Sequence, residues 1–137
     1  MNTWLVKSEP GAWSWDDHVK KGVEPWGGVR NHQACNNMKA MRKGDKAFFY
    51  HSVDEKRIVG VLEVVSEYRP DPTDESKRFG LVDFKALKPL KTPVTLAQIK
   101  EDPRLEHLAL VRQSRLSVMP IDAKAWKVLC AMGGIDP

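Results

Sequence analysis

The chain has few cysteines and lacks long apolar segments. It has only two cysteines, Cys35 and Cys130, and their spacing matches no zinc motif. A secreted scaffold held by disulfides is therefore not expected, and a reducing compartment is favoured. No apolar run is long enough for a signal peptide or a membrane span. We predict a cytoplasmic, or nuclear, protein with no membrane partner, no metal and no other cofactor.

Internal repeats, low-complexity tracts, linkers and a strong charge imbalance are also lacking. The 22 Lys and Arg residues exceed the 18 Asp and Glu residues only slightly, and the resulting net charge of +4 permits a polyanionic partner without requiring one. With 137 residues, 42% of them hydrophobic, the chain has the size of one domain with a single core. We predict one domain over residues 1–137 and expect it to be a monomer.

The hydrophobic pattern predicts strands concentrated in the middle of the chain, with helices between and after them. Gly60 lies inside one predicted strand and indicates a bulge or a close backbone approach. This order is typical of an α+β domain with a small curled or closed sheet and helices packed outside it. The predicted strands are 3–7, 46–52, 58–65, 81–90 and a last one around Leu116 and Val118, the helices are 14–21, 31–41, a short one capped by Thr95 and 122–132, and 69–80 is a solvated loop.

Residues 26–31, Trp-Gly-Gly-Val-Arg-Asn, combine the groups needed to hold a planar polar ligand. A ring can stack on Trp26, and the two glycines let the backbone come close because they lack a Cβ. Arg30 and Asn31 offer hydrogen-bond donors and an acceptor in defined geometries. The same residues also suit a tight loop that leads into a helix, with Trp26 covering the core and Asn31 as the N-cap.

Polar side chains also lie where predicted strands meet loops. They are found at the end of the first strand (7–9), at the end of the aromatic strand (50–52) and in the segment 115–117. Because the rim of a small barrel is a common ligand mouth, we expect these groups to lie near the Trp26 stretch.

Four separated motifs run almost from one end of the chain to the other. They are Trp4–Pro10, Trp26–Asn31, Gly44-Asp45 followed by Phe49–Ser52, and Arg112–Val118. In this order they resemble the EVE domain family, which is similar to the PUA-like superfamily and to the YTH readers. The resemblance implies a small PUA-like β-barrel with flanking helices. It also implies a non-enzymatic pocket for one modified nucleobase in DNA or RNA, such as methylated or hydroxymethylated cytosine or methylated adenine.

The residues suggest a division of roles in such a pocket. Stacking on one aromatic ring is worth about 1–3 kcal/mol per base, so Trp26 alone cannot give tight binding. Ser8 and Asn31 can read base edges, Glu9 can accept from an exocyclic amine, and Lys7, Arg30 and Arg115 can contact phosphate. The full set of candidate ligand-binding residues is Lys7, Ser8, Glu9, Trp26, Val29, Arg30, Asn31, Tyr50, His51, Ser52, Arg112, Ser114, Arg115 and Ser117.

Other chemistry-bearing residues have simpler interpretations. Trp4, Trp13 and Trp126 are predicted to be core or helix-face residues, because aromatics supply much of a small core. His51 and Ser52 are adjacent on a strand and point to opposite faces, which forbids the hydrogen bond that activates a nucleophile.

Three functions remain open at this point. The first is a non-enzymatic reader of a modified base. The second is a PUA-type binder of unmodified structured RNA, whose affinity depends steeply on salt and not on modification. The third is an enzyme acting on a free nucleotide, for which Glu9 and His51 are the only candidate titratable pair in the sequence.

Overall fold

The computed structural model describes residues 1–137, and most strands belong to one mixed sheet. The sheet contains β1 (Thr3–Ser8), β2 (Val23–Pro25), β3 (Lys46–His51), β4 (Arg57–Val64), β7 (Asp83–Thr95) and β8 (Val118–Ile121). A separate short ladder joins β5 (Arg69–Pro70) to β6 (Gly80–Leu81). The helices are α1 (Trp15–Lys21), α2 (His32–Ala40), α3 (Leu96–Glu101), α4 (Ala109–Arg112) and α5 (Ala123–Met132), with a 3-10 turn at Pro103–Leu105.

The six strands follow the order β2-β7-β4-β3-β1-β8. β1 pairs in parallel with β3, and the other neighbours are antiparallel. The sheet curls into a half-barrel with β2 and β8 at its edges. The α+β class is therefore confirmed, and of the two sheet forms expected, curled or closed, the curled one is present.

Both faces of the sheet are covered, because neighbouring residues of β3 point in opposite directions. Phe48 stacks on Trp126 of α5, with ring centroids 4.0 Å apart. Phe49 faces the other way and meets Trp15 of α1 edge-on at 5.5 Å. Both phenylalanines are fully buried, and burying such a side chain contributes about 1.5–3 kcal/mol to folding.

Local sequence signals place α1, α2, α3 and α5 where helices were predicted, whereas α4 was not predicted. Ser14 and Asp17 form a reciprocal capping box at the start of α1, and Gly22 ends that helix with a positive φ of 83°. Thr95 caps α3 in the same way, and Asp122 caps α5. The longest helix has ten residues, and none is long and apolar enough to cross a membrane.

The close approach predicted at Gly60 is present. The register of β4 shifts beside Gly60 against both β3 and β7. The ring of Trp15 lies directly over Gly60, so that a Cβ on this residue would come within 2.6 Å of three ring atoms. Gly60 therefore allows α1 to pack directly on the sheet.

The segment 69–80 is not simply a solvated loop, and this prediction was wrong in part. It leaves and rejoins the body through the β5–β6 ladder. Asp71 is only 3% exposed and Phe79 is 8% exposed. The high proportion of charged residues and prolines concealed these two buried side chains, whose partners lie far away in the sequence.

Candidate functional site

A cavity of about 470 Å³ opens where β1 ends beside residues 26–31, which we call the Trp26 loop. Its size is within the range of small-molecule pockets. We refer to it as the rim cavity. Seven of the residues predicted from the sequence line it: Lys7, Ser8, Glu9, Trp26, Val29, Arg30 and Ser117.

Trp26 serves both the core and the cavity. It is 9% exposed and meets Phe49 and Phe84 edge-on, with centroid distances of 5.6 and 5.5 Å. Its backbone N–H donates to Val82 O at 2.8 Å, which fixes the start of the loop against the end of the small ladder. The two interpretations of this residue are therefore compatible, because most of the side chain packs inward while its small exposed part lines the cavity.

Trp13 forms a second aromatic wall, although the sequence favoured a core or helix-face position for it. The residue is partly buried and lines the rim cavity just before α1 begins. Its indole Nε1–H donates to Nδ1 of His18 at 3.1 Å. Ser8 donates its hydroxyl to the carbonyl of Trp13, which ties this segment to the end of β1. In the sequence, only the position of Trp13 directly before Ser14, the N-cap of α1, indicated this placement.

Asp71 holds the Trp26 loop in place from the segment 69–80. One carboxylate oxygen accepts from Gly28 N at 2.8 Å and from Arg30 Nη1 at 3.1 Å. The other accepts from the backbone and hydroxyl of Thr73. Gly28 adopts a φ of 77°, a conformation that favours glycine. The sequence alone gave no indication that Asp71 belongs to the site.

The charge state of Asp71 follows from these contacts. Burial on its own would raise the pKa of the carboxyl group, but the hydrogen bonds from Thr73, Gly28 and Arg30 outweigh burial and hold the pKa well below its usual range. Arg30 donates to Asp71 and Thr73, which holds its guanidinium toward the segment 69–80, and its contact with phosphate stays a prediction.

Lys7 brings the 112–117 segment against the end of β1. Its ammonium group donates to Ser114 O at 2.9 Å and lies 5.7 Å from the centre of the Tyr50 ring. Its backbone N–H donates to Ser117 O. Burial lowers the pKa of Lys7 and raises the pKa of Tyr50 to about 12. Tyr50 and Ser114 therefore support Lys7 and do not line the cavity themselves.

Asn31 is a helix cap and does not line the cavity. Its side-chain oxygen accepts from Ala34 N at 2.9 Å, at the start of α2. Because the oxygen is occupied, the base-edge role assigned to Asn31 is not supported, and the capping alternative is confirmed.

His51 and Ser52 also lie outside the cavity lining. His51 Nε2 accepts from Trp15 N at 3.0 Å, and Nδ1 contacts Glu55 at 2.9 Å. The residue therefore joins β3 to the first turn of α1. Ser52 uses its backbone N–H to donate to Ser8 O.

The two arginines of the 112–117 segment differ in their contacts. Arg112 donates to Glu106 O at 3.0 Å, whereas Arg115 is exposed and lies two positions before the cavity residue Ser117 in the chain. Neither lines the cavity. The contact of Arg115 with phosphate stays a prediction.

Several lining residues were not among the predicted site residues: Ala12, Trp13, Glu24, Pro25, Gly27 and Gly28. Glu24 belongs to β2, a three-residue strand that the sequence pattern did not reveal. Its carboxylate pairs with Lys21 at 3.0 Å. Glu9 is exposed and is left as the cavity carboxylate without a partner in the protein.

A larger cavity of about 880 Å³ lies around the beginning of β1, among Trp4, Ile121 and Trp126. Its polar groups are mostly engaged within the protein. Trp4 Nε1 donates to Asp45, Thr3 donates to Ile121 O, and His107 pairs with Asp122. The rim cavity is the better candidate site, because residues 26–30 of the Trp26 loop line it and because the carboxylate of Glu9 is free to accept a hydrogen bond from a ligand.

A curled mixed sheet with flanking helices and an aromatic cavity at one rim defines a domain of the PUA-like class. An ASCH protein of Zymomonas mobilis shares this fold, with a TM-score of 0.61 at 12% identity over 96% of this chain and 95% of that one. The chain can also be assigned to a family within this class. The model of the EVE domain matches residues 2–132, and the chain belongs to the EVE domain family.

Two other solved structures show how closely the chain follows this family. A protein of Rhodopseudomonas palustris, solved by NMR, is 58% identical, with a TM-score of 0.93 over 98% of this chain and 94% of that one. The human THYN1 protein, crystallised in complex with DNA containing 5-methylcytosine, is 29% identical, with a TM-score of 0.88 and full coverage of both chains.

Proposed function

We propose that this protein binds nucleic acid by taking one modified base into the rim cavity, without catalysing a reaction. The observation that carries the proposal is the pair of tryptophans, Trp13 and Trp26, lining one cavity that also contains Lys7 and an unpaired Glu9. The complex of the human relative with DNA containing 5-methylcytosine supports the same kind of ligand.

Aromatic walls supply the energy that such binding requires. Removing a base from its stack costs a few kcal/mol. Stacking on an aromatic side chain returns about 1–3 kcal/mol per base. Two tryptophan walls can therefore offset the cost of extruding a base, which one wall does only marginally.

The polar groups favour a base that carries an exocyclic amine. Glu9 is a pure acceptor when ionised, and it is open to a ligand because it has no partner in the protein. Cytosine, adenine and guanine carry an amino group on the Watson–Crick edge, whereas thymine and uracil carry carbonyl oxygens in its place, which a carboxylate repels. Among the bases with an amino group, the complex of the human relative with DNA containing 5-methylcytosine favours cytosine, and we propose modified cytosine or adenine as the ligand.

Discrimination of the modification itself should be modest. A methyl group moved from water into an apolar slot contributes only about 0.8 kcal/mol, which is close to a fourfold change in affinity. A stronger preference requires the walls of the cavity to fit the methyl group closely.

Fluorescence polarisation with labelled oligonucleotides tests the proposal. The panel should contain plain and modified cytosine and adenine, in DNA and RNA and in single and double strands. We expect tighter binding to one modified base than to its plain counterpart. Equal affinity for all members, with a steep salt dependence, would identify a binder of unmodified structured RNA or DNA instead.

The enzyme alternative has lost the residue pair on which it rested. Both ring nitrogens of His51 are engaged, with Trp15 and Glu55, and the residue does not line the cavity with Glu9. Turnover of a free nucleotide, followed by chromatography of a mixture with the protein, would contradict the non-enzymatic proposal.

A further inference from the structure

We propose that His18 is a positioning residue that holds the indole of Trp13 in the orientation needed to stack a base in the rim cavity. The proposal rests on the proposed function. His18 itself does not line the cavity. It acts through Trp13.

The hydrogen bonds of His18 require a single tautomer. The indole Nε1–H of Trp13 can only donate, so Nδ1 of His18 must accept across the 3.1 Å that separates them. The proton of the neutral ring therefore resides on Nε2, where it is donated to Phe84 O at 2.8 Å. The neutral ring thus satisfies both partners at once, and His18 is fully buried.

The ring of His18 also packs against both aromatic walls. Its centroid is 5.9 Å from Trp13 and 6.0 Å from Trp26, and it meets Phe49 at 5.8 Å. The bond to Phe84 fixes the ring to β7, which is part of the sheet. His18 consequently sets the position of Trp13 relative to Trp26 and to the sheet.

Trp13 depends on this contact more than Trp26 does. Trp26 is buried against two phenylalanines, whereas Trp13 is only partly buried and lies in the connection before α1. Its indole makes no other hydrogen bond within the protein than the one to His18. Without the acceptor at Nδ1 the indole is free to turn, and a base then meets one fixed wall in place of two.

Two substitutions separate the two hydrogen bonds of His18. The shorter side chain in His18→Asn can place its amide oxygen near the position of Nδ1 and keep an acceptor for Trp13. The longer side chain in His18→Gln can reach Phe84 O with its amide N–H but offers Trp13 no acceptor at that position. His107→Gln, in an exposed histidine that pairs with Asp122, is the matched control.

The first measurement is binding of the best modified oligonucleotide, corrected for the folded fraction from melting curves. We expect His18→Gln to weaken binding at least about fivefold, the lower end of what stacking on one ring supplies. His18→Asn should stay within about twofold of the parent, and His107→Gln should bind as the parent does. Equal weakening by the Asn and Gln variants, in proportion to lost stability, would overturn the proposal.

The second measurement uses the free protein and needs no ligand. In ¹⁵N-labelled protein, the indole N–H of Trp13 should exchange slowly with water in the parent and in His18→Asn, and rapidly in His18→Gln. An indole signal that His18→Gln leaves unchanged overturns the role of His18 alone. Failure of the parent protein to bind any oligonucleotide overturns the proposed function, whatever the indole signal shows.

Discussion

The carboxylate of Asp71 accepts a hydrogen bond from the backbone N–H of Gly28 across 2.8 Å, and the two residues lie 43 positions apart in the sequence. This contact joins the segment 69–80 to the Trp26 loop. The loop therefore owes its shape to a buried charge from outside the motif, in addition to its own glycines.

Asp71→Ala tests this dependence. The substitution leaves Gly28 N and the Arg30 guanidinium without their acceptor, and we expect a loss of about 1–3 kcal/mol in the free energy of unfolding. Affinity for the modified oligonucleotide should fall as well, because the loop carries Trp26. Urea denaturation and fluorescence polarisation measure the two effects.

Asp74→Ala is the control for that experiment. Asp74 accepts hydrogen bonds from Ser76, Arg78 and Phe79 but none from the Trp26 loop. Asp74→Ala should lower the free energy of unfolding while leaving the affinity of the folded protein for the oligonucleotide unchanged. An equal loss of affinity in both variants would mean that any loosening of the segment 69–80 disturbs the cavity.

Trp26→Ala should reduce both stability and binding, because the residue serves the core and the cavity. Truncating a buried tryptophan costs about 3–5 kcal/mol. Trp126→Ala removes a buried tryptophan of similar exposure that is stacked on Phe48, on the other face of the sheet. We expect the two variants to lose similar stability, and only Trp26→Ala to bind more weakly per folded molecule. Unchanged affinity in Trp26→Ala would remove the residue from the site.

Arg115→Ala should weaken binding to modified and plain oligonucleotides alike. A phosphate contact carries no base information, so its loss lowers the slope of log affinity against log salt by about one unit. Arg104→Ala is the matched control, because Arg104 is exposed and paired with Asp102. If Arg115→Ala changes the preference between bases while the slope stays constant, Arg115 reads a base and does not contact phosphate.

Asn31→Ala should affect the helix and leave base preference unchanged. Loss of an N-cap costs about 0.5–2 kcal/mol of stability. Asn31→Ser keeps a capping oxygen and should recover most of that loss. Thermal melting compares the three proteins, and a change in base preference without a change in melting temperature would restore the base-reading role of Asn31.

The stability of the protein should decrease as the pH falls below about 6.5. Burial lowers the pKa of His18 from its ordinary value of 6.5, although the hydrogen bond to Phe84 and the charge of Glu24 oppose that change. The unfolded chain therefore takes up a proton before the folded chain does, so the contribution of neutral His18 is complete above about pH 6.5 and is lost below it. Urea denaturation between pH 5 and 8 should show the advantage of the parent over His18→Gln shrinking in acid. A constant difference across this range would contradict the buried neutral ring.

Much of the framework could be predicted from the sequence because its signals are local. Ser14 and Asp17 are three residues apart, and their capping box starts α1 at the expected position. The run of residues 81–90 predicts a strand, and β7 begins within it, with Phe84 buried and Lys85 exposed on opposite faces. Such patterns depend on neighbours within one turn or one strand, which a sequence displays directly.

The remaining features depend on contacts between distant parts of the chain. Asp71 has the charge of a surface residue, and only its partners in the Trp26 loop account for its burial. Trp13 is a large aromatic residue of the kind that usually packs in a core, and only the packing of α1 places it beside the cavity. β2 is three residues long, too short for a periodic pattern, and it is a strand only because β7 extends far enough to pair with it.

Gly60 has a consequence for the size of the ligand. The Trp15 ring lies on it without an intervening side chain, and Trp13 is attached to the same helix two residues earlier. The height of α1 above the sheet therefore contributes to where Trp13 lies. Position 60 lies in the sheet beneath the helix, and we expect the size of its side chain to influence the width of the rim cavity. A methyl group at this position would come within 2.6 Å of three ring atoms of Trp15, so we expect Gly60→Ala to displace α1 and Trp13 with it.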